Sequence, residues 1–140
     1  MPKEIDVANR TLLIIKPDAV ERNLIGQIIE RLEKAGFKIA DMKMVQLSYE
    51  EARKFYAVHE GRPFLDELCN FMSSGPIVPI IVESDGDTVS GMRTLIGATD
   101  PSEAAPGTVR HDLAVSLTKN SVHASDGKET AKTEIEFFFS

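Results

Sequence analysis

The chain has 140 residues, 42% of them hydrophobic and 27% charged, a balance that suits one globular domain over residues 1–140 and excludes a disordered chain. Its formal net charge of -6 argues against sequence-independent nucleic-acid binding, which needs lysines and arginines to neutralise phosphates. One cysteine, Cys69, rules out an intrachain disulfide. The opening Met-Pro-Lys-Glu-Ile-Asp has no apolar signal core, and no apolar run approaches the roughly 20 residues of a membrane span. The expectation is a cytoplasmic protein with no membrane partner.

Thr11 to Ile15 is a short apolar run closed by Lys16-Pro17-Asp18. Pro17 cannot donate to a ladder, so the run reads as a buried strand that stops at Lys16. Ile25, Ile28, Ile29, Leu32 and Ala35 recur at helical spacing and predict a helix ended by Gly36. Lys38 to Leu47 alternates imperfectly and reads as a strand. Glu50 to Val58 is helical in composition, and Phe64 to Met72 reads as a second short helix opened by Pro63.

Gly75-Pro76 marks a turn before Ile77 to Val82, an apolar run of strand length in which Pro79 should interrupt pairing locally. After the turn Asp85-Gly86-Asp87, a helix is predicted from Thr88 to Leu95. Gly97 to Lys119, punctuated by Pro101, Pro106 and Gly107, reads as a long irregular segment, and such loops in small domains are usually functional. Ser121 to Ser125 forms a last strand. Asp126 reads as the N-cap of a final helix, with Glu129 three positions later in a capping-box arrangement. This order predicts an α/β sandwich of the ferredoxin-like βαββαβ type: a four-stranded, largely antiparallel sheet with helices packed on one face.

On a strand, Ser121, His123 and Ser125 share one face while Val122 and Ala124 share the other. In the final helix Ala131, Ile135 and Phe138 make an apolar stripe, and Glu134 flanks it. A carboxylate directed inward beside a histidine would fix one ring nitrogen and leave the other free to attack. A satisfied polar histidine with a solvated edge glutamate fits the same pattern, and geometry alone leaves both readings open. There is no Gly-x-x-x-x-Gly-Lys-Ser/Thr loop and no Gly-x-Gly-x-x-Gly fingerprint, so phosphates would need side-chain cations. Lys16, Arg93 and Arg110 stand at strand ends or beside the long segment, although each taken singly is also an ordinary surface charge. Phe64 is either core filling or a platform for a base. Cys69, His59 and His111 match no compact zinc-ligand spacing. An RNA-recognition module is disfavoured by 6% aromatics, no Trp and an acidic total. A ferredoxin-like regulatory module has no evident need of a histidine beside an inward carboxylate.

Asn120-Ser121-Val122-His123-Ala124-Ser125-Asp126 resembles the active-site signature Asn-x-x-His-x-Ser-Asp of nucleoside diphosphate kinases. Ala124 stands where Gly is usual, and Gly127 where Ser is usual. Lys16-Pro17-Asp18-Ala19, Arg62-Pro63-Phe64, Ser74-Gly75-Pro76, Arg93, Gly97-Ala98-Thr99 and Pro106-Gly107-Thr108-Val109-Arg110 also fall where that family places them, so the resemblance covers nearly the whole chain.

It implies transfer of the γ-phosphate of a nucleoside triphosphate, typically ATP, to a nucleoside diphosphate by a ping-pong mechanism through a phosphohistidine on His123. Glu134 would orient the ring, with Ser125 fixing the carboxylate. Lys16, Arg93 and Arg110 would bind phosphates, with Lys16 touching the transferring group. Thr99 would bond phosphate and Asn120 the sugar hydroxyl. Phe64 would stack on the base with Leu68 on its other side, and Tyr56 would lie near His123. The resemblance also implies Mg²⁺ carried chiefly by the nucleotide phosphates, with no protein ligand cage, and a homo-oligomer (dimer, tetramer or hexamer).

Overall fold

Leu12, Leu13, Ile14 and Ile15 are all fully buried. Neighbours on a strand point to opposite faces, so a sheet built around this run must be covered on both sides. The computed structural model, which describes residues 9–115 and 119–139, has that arrangement. β1 (Arg10–Ile15), β2 (Lys38–Met42), β3 (Val78–Glu83) and β4 (Val122–Ala124) form one sheet in the order β2-β3-β1-β4. Every described pairing is antiparallel, giving the expected ferredoxin-like sheet.

The helices are α1 (Pro17–Glu21), α2 (Ile25–Lys34), α3 (Tyr49–Phe55), α4 (Leu65–Met72), α5 (Thr88–Ile96), α6 (Val109–Leu113) and α7 (Lys128–Phe139). They do not lie on one face, as the sequence reading had it. Leu13 and Ile15 pack with Ile28 and Leu32 of α2 and with Met92 and Ile96 of α5. Leu12 and Ile14 pack on the opposite side with Ala52 of α3, Cys69 and Met72 of α4, and Ile135 and Phe138 of α7. Burying each such aliphatic side chain contributes about 1.5–3 kcal/mol, so β1 serves both cores.

Several element boundaries differ from the expectation for local reasons. β2 ends at Met42, opposite Ile80, instead of running to Leu47. The next residue, Lys43, donates its N–H to the carbonyl of Pro79 at 3.2 Å. In a strand a residue's N and C=O point to the same side, so the donor that Pro79 lacks faces β2 where that pairing stops. On its other side Pro79 sits in unbroken register with Ile14 of β1. α3 starts at Tyr49 behind a Ser48–Glu51 capping box and gives way to a 3₁₀ turn at Ala57–His59. α4 starts at Leu65 with Phe64 at its N-cap, two residues beyond Pro63. The segment from Gly97 is less irregular than expected, with a 3₁₀ turn at Pro101–Glu103 and the short helix α6, capped by the Thr108 hydroxyl. Residues 116–118 of that segment lie outside the described residues. α7 begins at Lys128, and the N–H of Ala131 reaches the carbonyl of Gly127. Asp126 therefore stands one residue ahead of the cap position and does not cap the helix.

Candidate active site

His123 occupies the middle of β4, opposite Ile14 of β1. Alternation sends Val122 and Ala124 into the core beneath α2 and α5 and turns His123 to the other face. There α7 presents Ala131, Ile135 and Phe138, all buried, and Glu134 comes in on the flank of that stripe. Glu134 Oε1 lies 2.9 Å from His123 Nε2, and the Ser125 hydroxyl donates to the same oxygen at 2.6 Å. A carboxylate only accepts, so Nε2 carries a ring proton, and in the neutral ring the lone pair is on Nδ1. Among the described residues Nδ1 has no partner. Phe55 and Tyr56 hold the ring edge-on, with centroids 5.4 and 5.9 Å away.

Three cations from separate elements line the same cleft as His123. Lys16, at the end of β1, is 6% exposed and donates through Nζ to Asn120 Oδ1 at 2.8 Å. Burial, reinforced by Arg110 and opposed by Asp18, lowers its ammonium to about 8. Arg110 of α6 donates to the carbonyls of Gly97 at 3.2 Å and Val122 at 2.9 Å. Its Nε is buried without a partner among the described residues. Burial and then Arg93 bring its guanidinium down to about 10. Arg93 of α5 donates to the carbonyl of Ala124 at 3.3 Å. Cations that are desolvated and depress one another form an electrostatically unsatisfied group suited to an anion.

These side chains line a cleft of about 540 Å³ that takes in every nominated site residue except Ser125, which stands behind Glu134. Asn120 bridges its floor, donating through Nδ2 to the Thr99 carbonyl at 3.1 Å. Phe64 is 45% exposed, too exposed for core filling, and Leu68 follows one turn later on the same wall. Tyr56 is buried with its hydroxyl unpartnered among the described residues; burial, then Glu134, push the phenol well above its ordinary range.

The cleft also contains Phe55, His59 and Asp126, which the sequence reading did not assign to the site. His59 packs edge-on to Phe64 at 5.1 Å. The 3₁₀ turn that delivers it follows directly from Tyr56, and that spacing was the available signal. Asp126 faces the cleft because it is not the helix cap. Ser121 departs from the expected strand: it has φ 74° and precedes β4. Among the described residues no three His, Cys, Asp or Glu side chains gather into a metal-binding group. Cys69 lies in the core beneath α4 and His111 is engaged with Asp112, so the zinc reading has no site.

The family model described as nucleoside diphosphate kinase matches residues 9–140. A nucleoside diphosphate kinase of Desulfatibacillum aliphaticivorans is 59% identical over 130 residues, spanning 93% of this chain and 94% of that one. One of Metallosphaera sedula is 53% identical over 131 residues, spanning 94% and 93%. Among solved structures, the Aquifex aeolicus nucleoside diphosphate kinase superposes with a TM-score of 0.92 at 44% identity, covering 94% of this chain and 95% of that one. The Halobacterium salinarum enzyme in complex with CDP gives 0.90 at 41% identity, covering 95% and 88%.

Proposed function

This chain belongs to the nucleoside diphosphate kinase family, enzymes that pass phosphate from a nucleoside triphosphate to a nucleoside diphosphate, and we propose that here the group travels on His123. The observation that carries the reading is the hydrogen bond from His123 Nε2 to Glu134, which leaves Nδ1 as the lone-pair nitrogen of a ring that faces the cleft alongside three cations.

In the first half-reaction Nδ1 attacks the γ-phosphorus in line. An N–P bond forms, the bond to the bridging oxygen breaks, and the diphosphate leaves with that electron pair. In the second half the terminal oxygen of another nucleoside diphosphate attacks the same phosphorus and Nδ1 departs. One cleft serves donor and acceptor in turn, which gives ping-pong kinetics. Glu134 offsets the positive charge that develops on the ring when Nδ1 bonds phosphorus, and the Ser125 hydroxyl fixes the carboxylate oxygen that does so. Lys16, Arg93 and Arg110 neutralise the phosphate chain, Lys16 at the transferring group, so catalysis rests on positioning and charge cancellation. Thr99 bonds phosphate, Asn120 takes the sugar hydroxyl, and Tyr56 packs the ring of His123.

Phe64 and Leu68 hold the base by stacking and apolar contact. A π-face is common to all bases, so little base selectivity is expected. The nucleotide brings Mg²⁺ on its phosphates as part of the substrate, where the ion spreads the charge of the reacting group. The chain is also proposed to self-associate. β2 is an edge strand with Met42 46% and Met44 57% exposed at and beyond its end, the kind of edge a second copy covers. A cytoplasmic site of action is proposed, in keeping with nucleotide substrates; no helix among the described residues is long and apolar enough to cross a membrane.

The test is labelling with γ-phosphate-labelled ATP. Wild type takes up acid-labile label that a second diphosphate removes, whereas His123→Ala takes up none. Label persisting on His123→Ala would overturn the assignment.

A further inference from the structure

Ser121 carries φ 74°, and the N–H of Val122 returns to the carbonyl of Asn120 at 2.9 Å. A bond from residue i+2 back to i around a positive φ defines a γ-turn of the rare, strained kind. It lies between Asn120, which binds Lys16, and His123. Strained backbone of this sort persists only where its surroundings over-determine it. The side chain of Ser121 does not hold the turn, since its hydroxyl is buried without a partner among the described residues.

The backbone of Ser121 is instead gripped from the β1–α1 junction. Its carbonyl accepts from the N–H of Lys16 at 2.9 Å, and its own N–H donates to Asp18 Oδ2 at 3.1 Å. Asp18 is 5% exposed, and its other oxygen is buried without a partner among the described residues. A carboxylate kept in such surroundings is costly to the fold, and the reaction proposed for His123 assigns it no chemical step.

We propose that Asp18 is a positioning residue for phosphoryl transfer: its carboxylate clamps the Ser121 γ-turn and thereby sets the distance between Lys16 with Asn120 on one side and His123 on the other. This inference rests on the proposed role of His123. Asp18 also faces Lys16 electrostatically. Lys16 meets Arg110 from α6 and Asp18 from α1, with Arg93, His123 and Glu134 lining the same cleft. Of these, Arg110 lowers its ammonium and Asp18 raises it.

Two substitutions separate the roles. Asp18→Asn keeps an oxygen acceptor for the Ser121 N–H but loses the charge. Asp18→Ala loses both. The readout is the single-turnover rate of His123 labelling by ATP–Mg, with kcat/KM followed against pH. Asp18→Asn, which keeps an acceptor for the Ser121 N–H, should label faster than Asp18→Ala at every pH, with its alkaline limb at lower pH than that of wild type because Asp18 raises the Lys16 ammonium. Asp18→Ala should label at least tenfold more slowly than wild type, and adding Ser121→Gly, which relaxes the positive-φ strain, should recover most of that loss. An Asp18→Ala rate equal to wild type, or one unrecovered by Ser121→Gly, overturns the proposal. Should Asp18→Ala fail to fold, the double variant Asp18→Ala/Ser121→Gly decides: folded and labelling near the wild-type rate supports the clamp, folded and slow overturns it. Failure of wild type to label would instead sink the role of His123, so the two claims fail separately.

Discussion

Glu134→Gln keeps the length of the side chain on α7 and an oxygen able to face His123 Nε2, but removes the negative charge. In the wild-type site one carboxylate oxygen receives both the imidazole N–H at 2.9 Å and the Ser125 hydroxyl at 2.6 Å. Both partners of the His123–Glu134 bond are largely covered, with side chains 21% and 12% exposed, so solvent screens little of the interaction. Hydrogen bonds to charged groups contribute about 1.5–3 kcal/mol and neutral ones about 0.5–1.5 kcal/mol. The charge is therefore worth about 1–2 kcal/mol when Nδ1 bonds phosphorus and the ring becomes cationic, or about 5- to 30-fold in rate at about 1.4 kcal/mol per decade. Glu134→Ala removes the acceptor for two donors and frees the ring to turn, so its loss should exceed that of Glu134→Gln. Rapid-quench measurement of His123 labelling under single-turnover conditions gives the rate directly, and thermal melting of each variant checks that the fold is intact. A Glu134→Gln rate within twofold of wild type, in a folded protein, would refute the claim that this charge stabilises the phosphorylated ring.

Two further outcomes follow from the same geometry. Lys16 must be cationic to hold phosphate, and burial with Arg110 lowers it to about 8, so kcat/KM, which reports the free enzyme, should fall as pH rises through about 8; a polyanion in the cleft stabilises the ammonium, so the limb in kcat should lie at higher pH. Phe64→Ala should raise KM for purine and pyrimidine diphosphates alike, by the about 1–3 kcal/mol typical of base–aromatic stacking, while its 45% exposure leaves melting temperature nearly unchanged; steady-state kinetics with two bases checks both halves.

Much of the sheet could be read from the sequence because its central strands are apolar without interruption. The same uninterrupted runs in β1 and β3 also signalled that both faces are covered, since a one-faced sheet would alternate. The reading of helices on one face missed that. The β4–α7 pair was legible from two periodicities, with His123 alternating against Val122 and Ala124 and Glu134 flanking the Ala131–Ile135–Phe138 stripe. One capping box was missed by the sequence reading and another misplaced. The Ser48–Glu51 box is real, whereas the similar spacing of Asp126 and Glu129 lies one residue off the helix start. Nothing local marked the γ-turn at Ser121, because the residue that holds it, Asp18, is 103 positions away in the chain. The cation cluster was likewise invisible to spacing, and only the family resemblance brought Lys16, Arg93 and Arg110 together ahead of the fold.

That gathering explains how a chain of net charge -6 can receive a polyanion. The sheet order places β1 beside β4, so the end of one strand brings Lys16 into the cleft that His123 of the other lines. α5 and α6 close over the same end with Arg93 and Arg110, and backbone carbonyls of Gly97, Val122 and Ala124 anchor the two guanidinium groups. Neutral carbonyls fix these side chains without cancelling their charge, which full carboxylate partners would do. Burial first, and a neighbouring cation second, lower the ammonium of Lys16 and the guanidinium of Arg110. On the proposed reading an incoming phosphate chain relieves their mutual repulsion, so the site's electrostatic strain would become affinity, acting over distances short enough that the acidic surface beyond a Debye length of about 8–10 Å is screened from the exchange.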